Sequence, residues 1–293
     1  MIHDFVKYIR DEKRYSPNTI QSYEHDLNSF EKFVKEYFSL SILDVKHKNI
    51  RSWIVFLKEN NFTNRSINRK ITSLRSFFRF EILRGNLDEN PAKRVQLLKQ
   101  EINVPSFIEE SGMEILLNDF EELTLYKEIL SSTIFELFYA TGIRVSELTN
   151  LLNSNINYEK QILKVVGKRN KERLIPFTPR LSRLLIKYQL ARNEEIINPL
   201  DNNYLFLTQK GKKLNNKFVY NLISYYLSRV TTSTKKSPHV MRHTFATHML
   251  NHGADLNIIK EILGHSSLAA TQVYTHNTIE KLKEVYKQAH PKA

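Results

Sequence analysis

The sequence predicts a mainly α-helical protein of two domains, carrying one small antiparallel β-hairpin. Three observations predict it. The chain has 293 residues, nearer two domains than one at about 100–200 residues each. Apolar residues recur at spacings of three and four over most of its length, the period of a helix with one buried face. Only residues 162–166 and 173–177 look strand-like, and they flank a polar turn at 167–171. Hydrophobic residues make up 41% and aromatics 11%, enough to build real cores and to exclude a disordered chain.

The first hundred residues predict a helical bundle. Ser16 caps a helix that Pro17 opens, and Ile20, Tyr23, Leu27, Phe30, Val34 and Tyr37 give it an apolar stripe. Ile50, Trp53, Ile54 and Leu57 mark a second helix. Asn64 is placed to cap a third, with Ile67, Ile71, Leu74, Phe78 and Ile82 inward and Gly85 at its end. At about 100° per residue, Arg65, Arg69 and Arg79 fall on the side opposite that stripe. Residues 1–89 are therefore assigned to an N-terminal helical domain and 90–106, with Pro91 and Pro105 and no firm period, to a linker.

Residues 107–293 form the second domain. Helices are expected at 123–140, 181–192, 215–229, Pro238–Asn251, Leu256–Leu263 and about 278–288, with the hairpin between the first two. No internal repeat or low-complexity segment interrupts them.

Charge narrows the function. There are 44 Lys and Arg against 31 Asp and Glu, a net charge of +13. The excess is shared, with 19 against 12 in residues 1–100 and 25 against 19 in the rest. Residues 61–80 and 202–254 contain no acid, whereas Glu109, Glu110, Glu114, Asp119, Glu121 and Glu122 make an acidic stretch expected to face away from any ligand. Such a balance points to a polyanion: nucleic acid first, an acidic membrane surface second. Cysteine is absent, which excludes disulfides, thiolate metal sites and a thiol nucleophile and fits a reducing compartment. No apolar run approaches a membrane span and the start lacks signal-peptide features, so a cytoplasmic setting is expected. The seven glycines form neither GxGxxG nor GxxxxGK[ST], which argues against a nucleotide-cradling loop.

Two helix starts carry chemistry. In Ser237-Pro238-His239-Val240-Met241-Arg242, His239 and Arg242 share one face of a first turn, where free backbone N–H groups favour an anion. An imidazole and a guanidinium there suit a phosphate. In Ala140-Thr141-Gly142-Ile143-Arg144, Gly142 ends one helix and leaves Arg144 near the start of the next. His265 follows the helix end at Leu263-Gly264, and Tyr274 lies nine residues further on. His239, His243, His248, His252 and His265 are not read as zinc ligands: no acid or cysteine completes a set and Arg242 would repel the ion. No metal and no cofactor is expected.

Taken together, ATGIRVSEL, GKRNKERLIPF, SPHVMRHTFATHML and ILGHSSLAATQVYTH resemble the tyrosine recombinase (phage integrase) family. The first half, through YSPNTIQSYEHDLNSFEKF and SINRKITSLRSFFRFEILRGNLDENPA, resembles that family's SAM-like core-binding domain. The likeness spans roughly residues 1–290 and is greatest to the Xer group, since it opens directly in the core-binding domain. It implies a catalytic set of Arg144, Lys168, His239, Arg242, His265 and Tyr274. Tyr274 would attack the scissile phosphorus and release the 5′ oxygen, giving a 3′-phosphotyrosyl intermediate. Arg144 and Arg242 would hold the non-bridging oxygens. Lys168, with Lys171 as the alternative, would protonate the leaving oxygen; His239 would assist the tyrosine proton and His265 would hydrogen-bond the phosphate. Tyr286 is the nearest other tyrosine for the nucleophile's role.

The resemblance further implies double-stranded DNA as partner, clamped between the two domains. Arg65, Arg69, Arg79, Lys210, Lys212, Lys213, Lys217, Lys235 and Lys236 are the candidate DNA contacts, most of them to phosphate. It implies a tetramer of identical or different recombinases on two sites, with the helix at about 278–288 docked into a neighbour, and an FtsK-like DNA translocase as an accessory. Chromosome dimer resolution is the expected role; integration or transposition of a mobile element is the alternative with the same chemistry. A non-catalytic DNA-binding protein and a type IB topoisomerase rank below both.

Overall fold

The computed structural model describes residues 1–100, 106–119, 123–167, 171–264 and 276–292. It divides into two compact units, Met1–Asn103 and Val104–Ala293.

The first unit is built from α1 (Ile2–Asp11), α2 (Pro17–Phe38), α3 (His47–Glu59) and α4 (Asn64–Leu83). Ser16 caps α2 as expected, its Oγ accepting the Thr19 N–H at 3.3 Å. The cap of α4 is Thr63 and not Asn64: its Oγ1 accepts the Ser66 N–H at 3.3 Å. The core is aromatic, with Phe5, Phe30, Trp53, Phe77 and Phe78 buried and the Phe30 and Trp53 rings 4.8 Å apart. Tyr37, placed on the stripe by its spacing, is exposed in the last turn of α2. Helix α1 escaped the periodicity reading because it is short and charged; it forms by burying Phe5, Val6 and Ile9 on its neighbours.

The stretch read as a linker from residue 90 begins by packing on α4. Asn68 exchanges two 2.8 Å hydrogen bonds with the Leu98 backbone, and Arg75 Nε donates to the Ala92 carbonyl at 3.2 Å. Chain beyond the last helix is thereby held to the bundle by side chains of α4.

The second unit contains α5 (Glu110–Asn118), α6 (Tyr126–Thr141), α7 (Val145–Thr149), β1 (Ile156–Asn157), β2 (Ile162–Val166), β3 (Glu172–Pro176), α8 (Pro179–Glu195), α9 (Asn216–Leu227), α10 (Pro238–Asn251), α11 (Leu256–Leu263) and α12 (His276–Ala289). Helix α6 is buried along nearly its whole length, taking Ser132, Thr133 and Glu136 into the core with its apolar residues, and packs against α8, α9 and α10. The antiparallel sheet runs β1-β2-β3, pairing Leu163 with Ile175 and Val165 with Arg173. Leu163, Val165 and Ile175 face the core, and Arg173 shares their side of the sheet.

The acidic stretch does not simply face away. Asp119 pairs with Arg229 at 2.7 Å, Glu110 with His252 at 2.8 Å and Glu114 with Lys292 at 2.9 Å. These carboxylates are partnered within their own unit. Among the described residues no helix is long and apolar enough to cross a membrane.

Candidate active site

Arg144 is set by the corner between α6 and α7. Gly142 ends α6 at φ +57°, and its N–H bonds the Phe138 carbonyl at 2.9 Å. A Cβ at Gly142 would lie 2.6 Å from Phe245 Cδ1 and 2.7 Å from Leu263 Cδ2. Only glycine allows α6 to end in this conformation with α10 and α11 pressed against it. Two residues later Arg144 is the N-cap of α7. The Glu147 carboxylate reaches back to its backbone N–H at 2.9 Å and to its guanidinium Nη1 at 2.7 Å. Arg144 Nη2 donates to the Gly264 carbonyl at 3.2 Å, leaving the side chain 35% exposed.

Arg242 comes from the first turns of α10, which Pro238 opens. Ser237 precedes it, but its side chain makes no capping bond. The Arg242 guanidinium is anchored on two carbonyls at helix ends: Nη1 on Gly142 at 2.7 Å and Nη2 on Leu263 at 2.5 Å. Carbonyls at a helix C-terminus lack intrahelical partners and favour a cation. Burial, and then the charges of Arg144 and Arg173, hold the Arg242 pKa down to about 9. It remains a cation at neutral pH. His239, three residues before it, is exposed on the same first turn.

Two residues of this cluster were not singled out by sequence reasoning. Glu147 is buried, and Arg173 grips it with Nη1 to Oε1 and Nη2 to Oε2, each at 2.8 Å. Burial pushes the Glu147 carboxyl up, but the hydrogen bonds and charge of Arg173, with those of Arg144, prevail and hold it below the usual carboxylate range. The signal for Glu147 was an acid at the third helical position after a capping residue. The signal for Arg173 was a cation at an inward strand position, two residues before Ile175. Arg144, Arg173 and Arg242 against Glu147 leave two net positive charges, an arrangement suited to an oxyanion.

Lys168, His265 and Tyr274 lie outside the described residues. Their flanks are defined. The Gly167 N–H bonds the Lys171 carbonyl at 2.7 Å across the hairpin turn, and Lys171 is exposed. Helix α11 ends at Gly264, φ +65°, directly before His265. Tyr286 is excluded as an accessible nucleophile: it is buried, its hydroxyl donates to the Ala140 carbonyl at 2.8 Å, and burial raises its pKa. Within the single chain helix α12 packs on α10 and β3, with Leu282, Tyr286 and Ala289 buried.

The candidate DNA contacts divide. Arg65 and Arg79 are exposed on α4, as are Lys210, Lys212, Lys217 and Lys235 on the second unit. Arg69, expected to be clear of acids, pairs with the buried Asp26 of α2, which Lys70 also holds at 3.1 Å. Sequence distance concealed that acid. Lys213 is occupied too, with Nζ 2.6 Å from Asn150 Oδ1 and 4.1 Å above the Tyr204 ring. Lys236 is half-buried. His248 bonds the Tyr139 hydroxyl at 3.0 Å and the Ile108 carbonyl at 2.9 Å, the packing role read from its helix. Among the described residues no cluster of three or more His, Asp or Glu could hold a metal.

Comparison with known proteins places the chain in a family. The phage integrase N-terminal SAM-like domain matches residues 2–85, and the phage integrase family matches residues 106–281. The chain is 35% identical to tyrosine recombinase XerC of Listeria welshimeri, over 99% of this chain and 97% of the relative. It is 36% identical to tyrosine recombinase XerC of Anoxybacillus flavithermus at the same coverage. Its fold is similar to XerH recombinase bound to palindromic difH, with TM-score 0.73, 21% identity, 97% of this chain and 83% of that one. It is also similar to the Tn1549 transposon integrase bound to circular intermediate DNA, with TM-score 0.72, 22% identity and coverage of 96% and 97%. Matched by both phage integrase models and, over nearly its whole length, by tyrosine recombinases XerC, the chain belongs to the phage integrase family, and it is a site-specific tyrosine recombinase of the XerC type.

Proposed function

We propose that the chain cuts and rejoins double-stranded DNA with Tyr274 as nucleophile and Arg144 and Arg242 as the phosphate clamp. The observation that carries this is the arginine cluster. Two guanidinium groups from different helices are fixed beside one another by Glu147 and by helix-end carbonyls. Preorganised donors of this kind stabilise developing charge without rearranging during the reaction. The Tyr274 oxygen bonds to phosphorus, its proton passing towards His239. The bond from phosphorus to the 5′ oxygen breaks, and Lys168 supplies that oxygen's proton. His265 hydrogen-bonds the phosphate. The phosphotyrosyl link keeps the energy of the broken bond for religation to another strand's 5′ hydroxyl.

In this reading residues 1–89 form the core-binding domain and 107–293 the catalytic domain, joined through 90–106, and both grip the duplex. Four subunits assemble on two sites, in a cytoplasmic setting, and α12 leaves its own unit to dock on a neighbour. The full-length likeness to XerC proteins favours chromosome dimer resolution, with an FtsK-like translocase as accessory, over a mobile-element role. Sequencing DNA recovered covalently attached to the protein from cells tests this. One recurring chromosomal site supports the proposal; element ends would replace the role, and no adduct with wild type would remove the chemistry.

A further inference from the structure

Arg173 sits where a core residue is expected. It alternates with Ile175 on the inward face of β3 and its side chain is 6% exposed. Desolvating a guanidinium is expensive, and an apolar side chain of similar volume often serves a core at least as well. Its contacts indicate what the charge is for. Nε donates to the Ile262 carbonyl at 2.6 Å, near the end of α11, while the two Nη atoms hold the two oxygens of Glu147. A Cβ on Gly264 would stand 3.1 Å from Arg173 Cδ, so the side chain lies against the turn whose carbonyl receives Arg144. A Cβ on Gly167 would stand 3.3 Å from Glu147 Oε1 and 3.6 Å from Arg173 Nη1, so the pair also abuts the base of the hairpin turn. One buried guanidinium therefore touches the parts of the chain that present Arg144, lead into 168–170 and lead into 265–275.

We propose that Arg173 is a positioning residue for DNA cleavage, acting through Glu147 to aim Arg144 and leave it charged toward the phosphate. The inference rests on the proposed role of Arg144. Glu147 needs two cations: one to satisfy it, one to be aimed by it. With Arg173 supplying the first, Glu147 orients Arg144 without cancelling the site's positive charge. Without Arg173, the carboxylate turns fully onto Arg144 and the cluster drops from two net positive charges to one. Arg173 itself is buried behind Glu147 and does not touch the substrate.

The test is single-turnover cleavage, at saturating protein, of a nicked duplex carrying the site recovered by the covalent-DNA sequencing. The scissile position is either a phosphodiester or a methylphosphonate. The methylphosphonate lacks one negative charge and so draws less on Arg144. Arg173→Met should bind the duplex like wild type, cleave the phosphodiester at least ~10-fold more slowly, and lose under ~3-fold on the methylphosphonate. Arg144→Ala should show the same selective pattern more strongly. The effect of Arg173→Met should nearly vanish in a Glu147→Gln background. Equal losses on both substrates, wild-type rates on both, or additive effects with Glu147→Gln would overturn the inference. Should Arg173→Met fail to fold, Arg173→Gln removes the charge while keeping hydrogen-bond donors towards Glu147 and must show the same selectivity. If Arg144→Ala cleaves both substrates like wild type, the proposed role of Arg144 is what fails, and this inference with it.

Discussion

Arg173 and Glu147 form a two-pronged ion pair inside the catalytic unit, each oxygen of the carboxylate 2.8 Å from its own nitrogen. The same carboxylate reaches Arg144 at 2.7 Å, so one acid joins a core cation to a half-exposed one. Removing one partner of a buried pair leaves the other desolvated and unpaired, at a cost of about 3 kcal/mol or more. Glu147→Gln should therefore lower stability in urea unfolding by about that amount, and Glu147→Asp by less. Stability equal to wild type in Glu147→Gln would mean that the carboxylate is not needed as a charge.

The arginines should matter to rate. Loss of one preorganised oxyanion donor is typically worth about 10²–10³ in rate. Arg144→Ala and Arg242→Ala should each slow covalent complex formation at least that much, while Tyr274→Phe binds DNA and forms none. Because guanidinium groups supply the positive charge, EDTA should leave the wild-type rate unchanged.

A general acid becomes dispensable when its leaving group no longer needs a proton. A 5′-bridging phosphorothioate should rescue Lys168→Ala and should not rescue Arg242→Ala. Rescue of Lys171→Ala in place of Lys168→Ala would move the role along the hairpin by three residues.

On the N-terminal unit Arg65 and Arg79 should separate from Arg69, which is also exposed but holds the buried Asp26. Each phosphate contact contributes a slope of about −0.9 in log affinity against log salt. Replacing Arg65 and Arg79 with Gln should flatten that slope by up to roughly two units and leave unfolding unchanged. Arg69→Gln should instead weaken the fold by about 1 kcal/mol, since Asp26 loses a hydrogen-bonded partner. An unchanged slope in the double variant would show that this face of α4 does not meet DNA.

Acid should loosen the end of the chain. His290 stacks on Tyr286 with centroids 5.0 Å apart, its Nε2 is 3.2 Å from the Tyr139 carbonyl, and burial brings its pKa down to about 4. The ordinary value is 6.5. The folded state keeps the ring neutral while the unfolded chain protonates it, so this stability is whole above pH 6.5 and falls as pH drops towards 4. By pH 5 about 2 kcal/mol should be lost, read from urea unfolding between pH 7.5 and 5. His248, also held neutral chiefly by burial, should add in the same direction. His290→Phe keeps the ring and removes the proton site, so it should reduce the loss of stability between pH 7.5 and 5.

Local rules account for what the sequence by itself determined. Apolar spacing located α2, α3 and α4; Pro238 and Gly142 punctuated the helices that carry Arg242 and Arg144; the strand pair and its turn were legible from alternation and composition. All of these depend on neighbours a few residues apart. Tertiary structure decided what depends on distant ones. Asp26 meets Arg69 across 43 positions, and Glu147 meets Arg173 across 26. The anchors of Arg242, 100 and 21 residues away, are backbone carbonyls that any residue type would supply, so no pattern of letters marks them. Helix α1 needed the bundle before its short apolar face had anything to cover. A buried acid is tolerated only where the fold brings its partner, and that pairing, set by three-dimensional packing, gives Arg69 and Arg173, which hold Asp26 and Glu147, a structural role that no letter pattern marks.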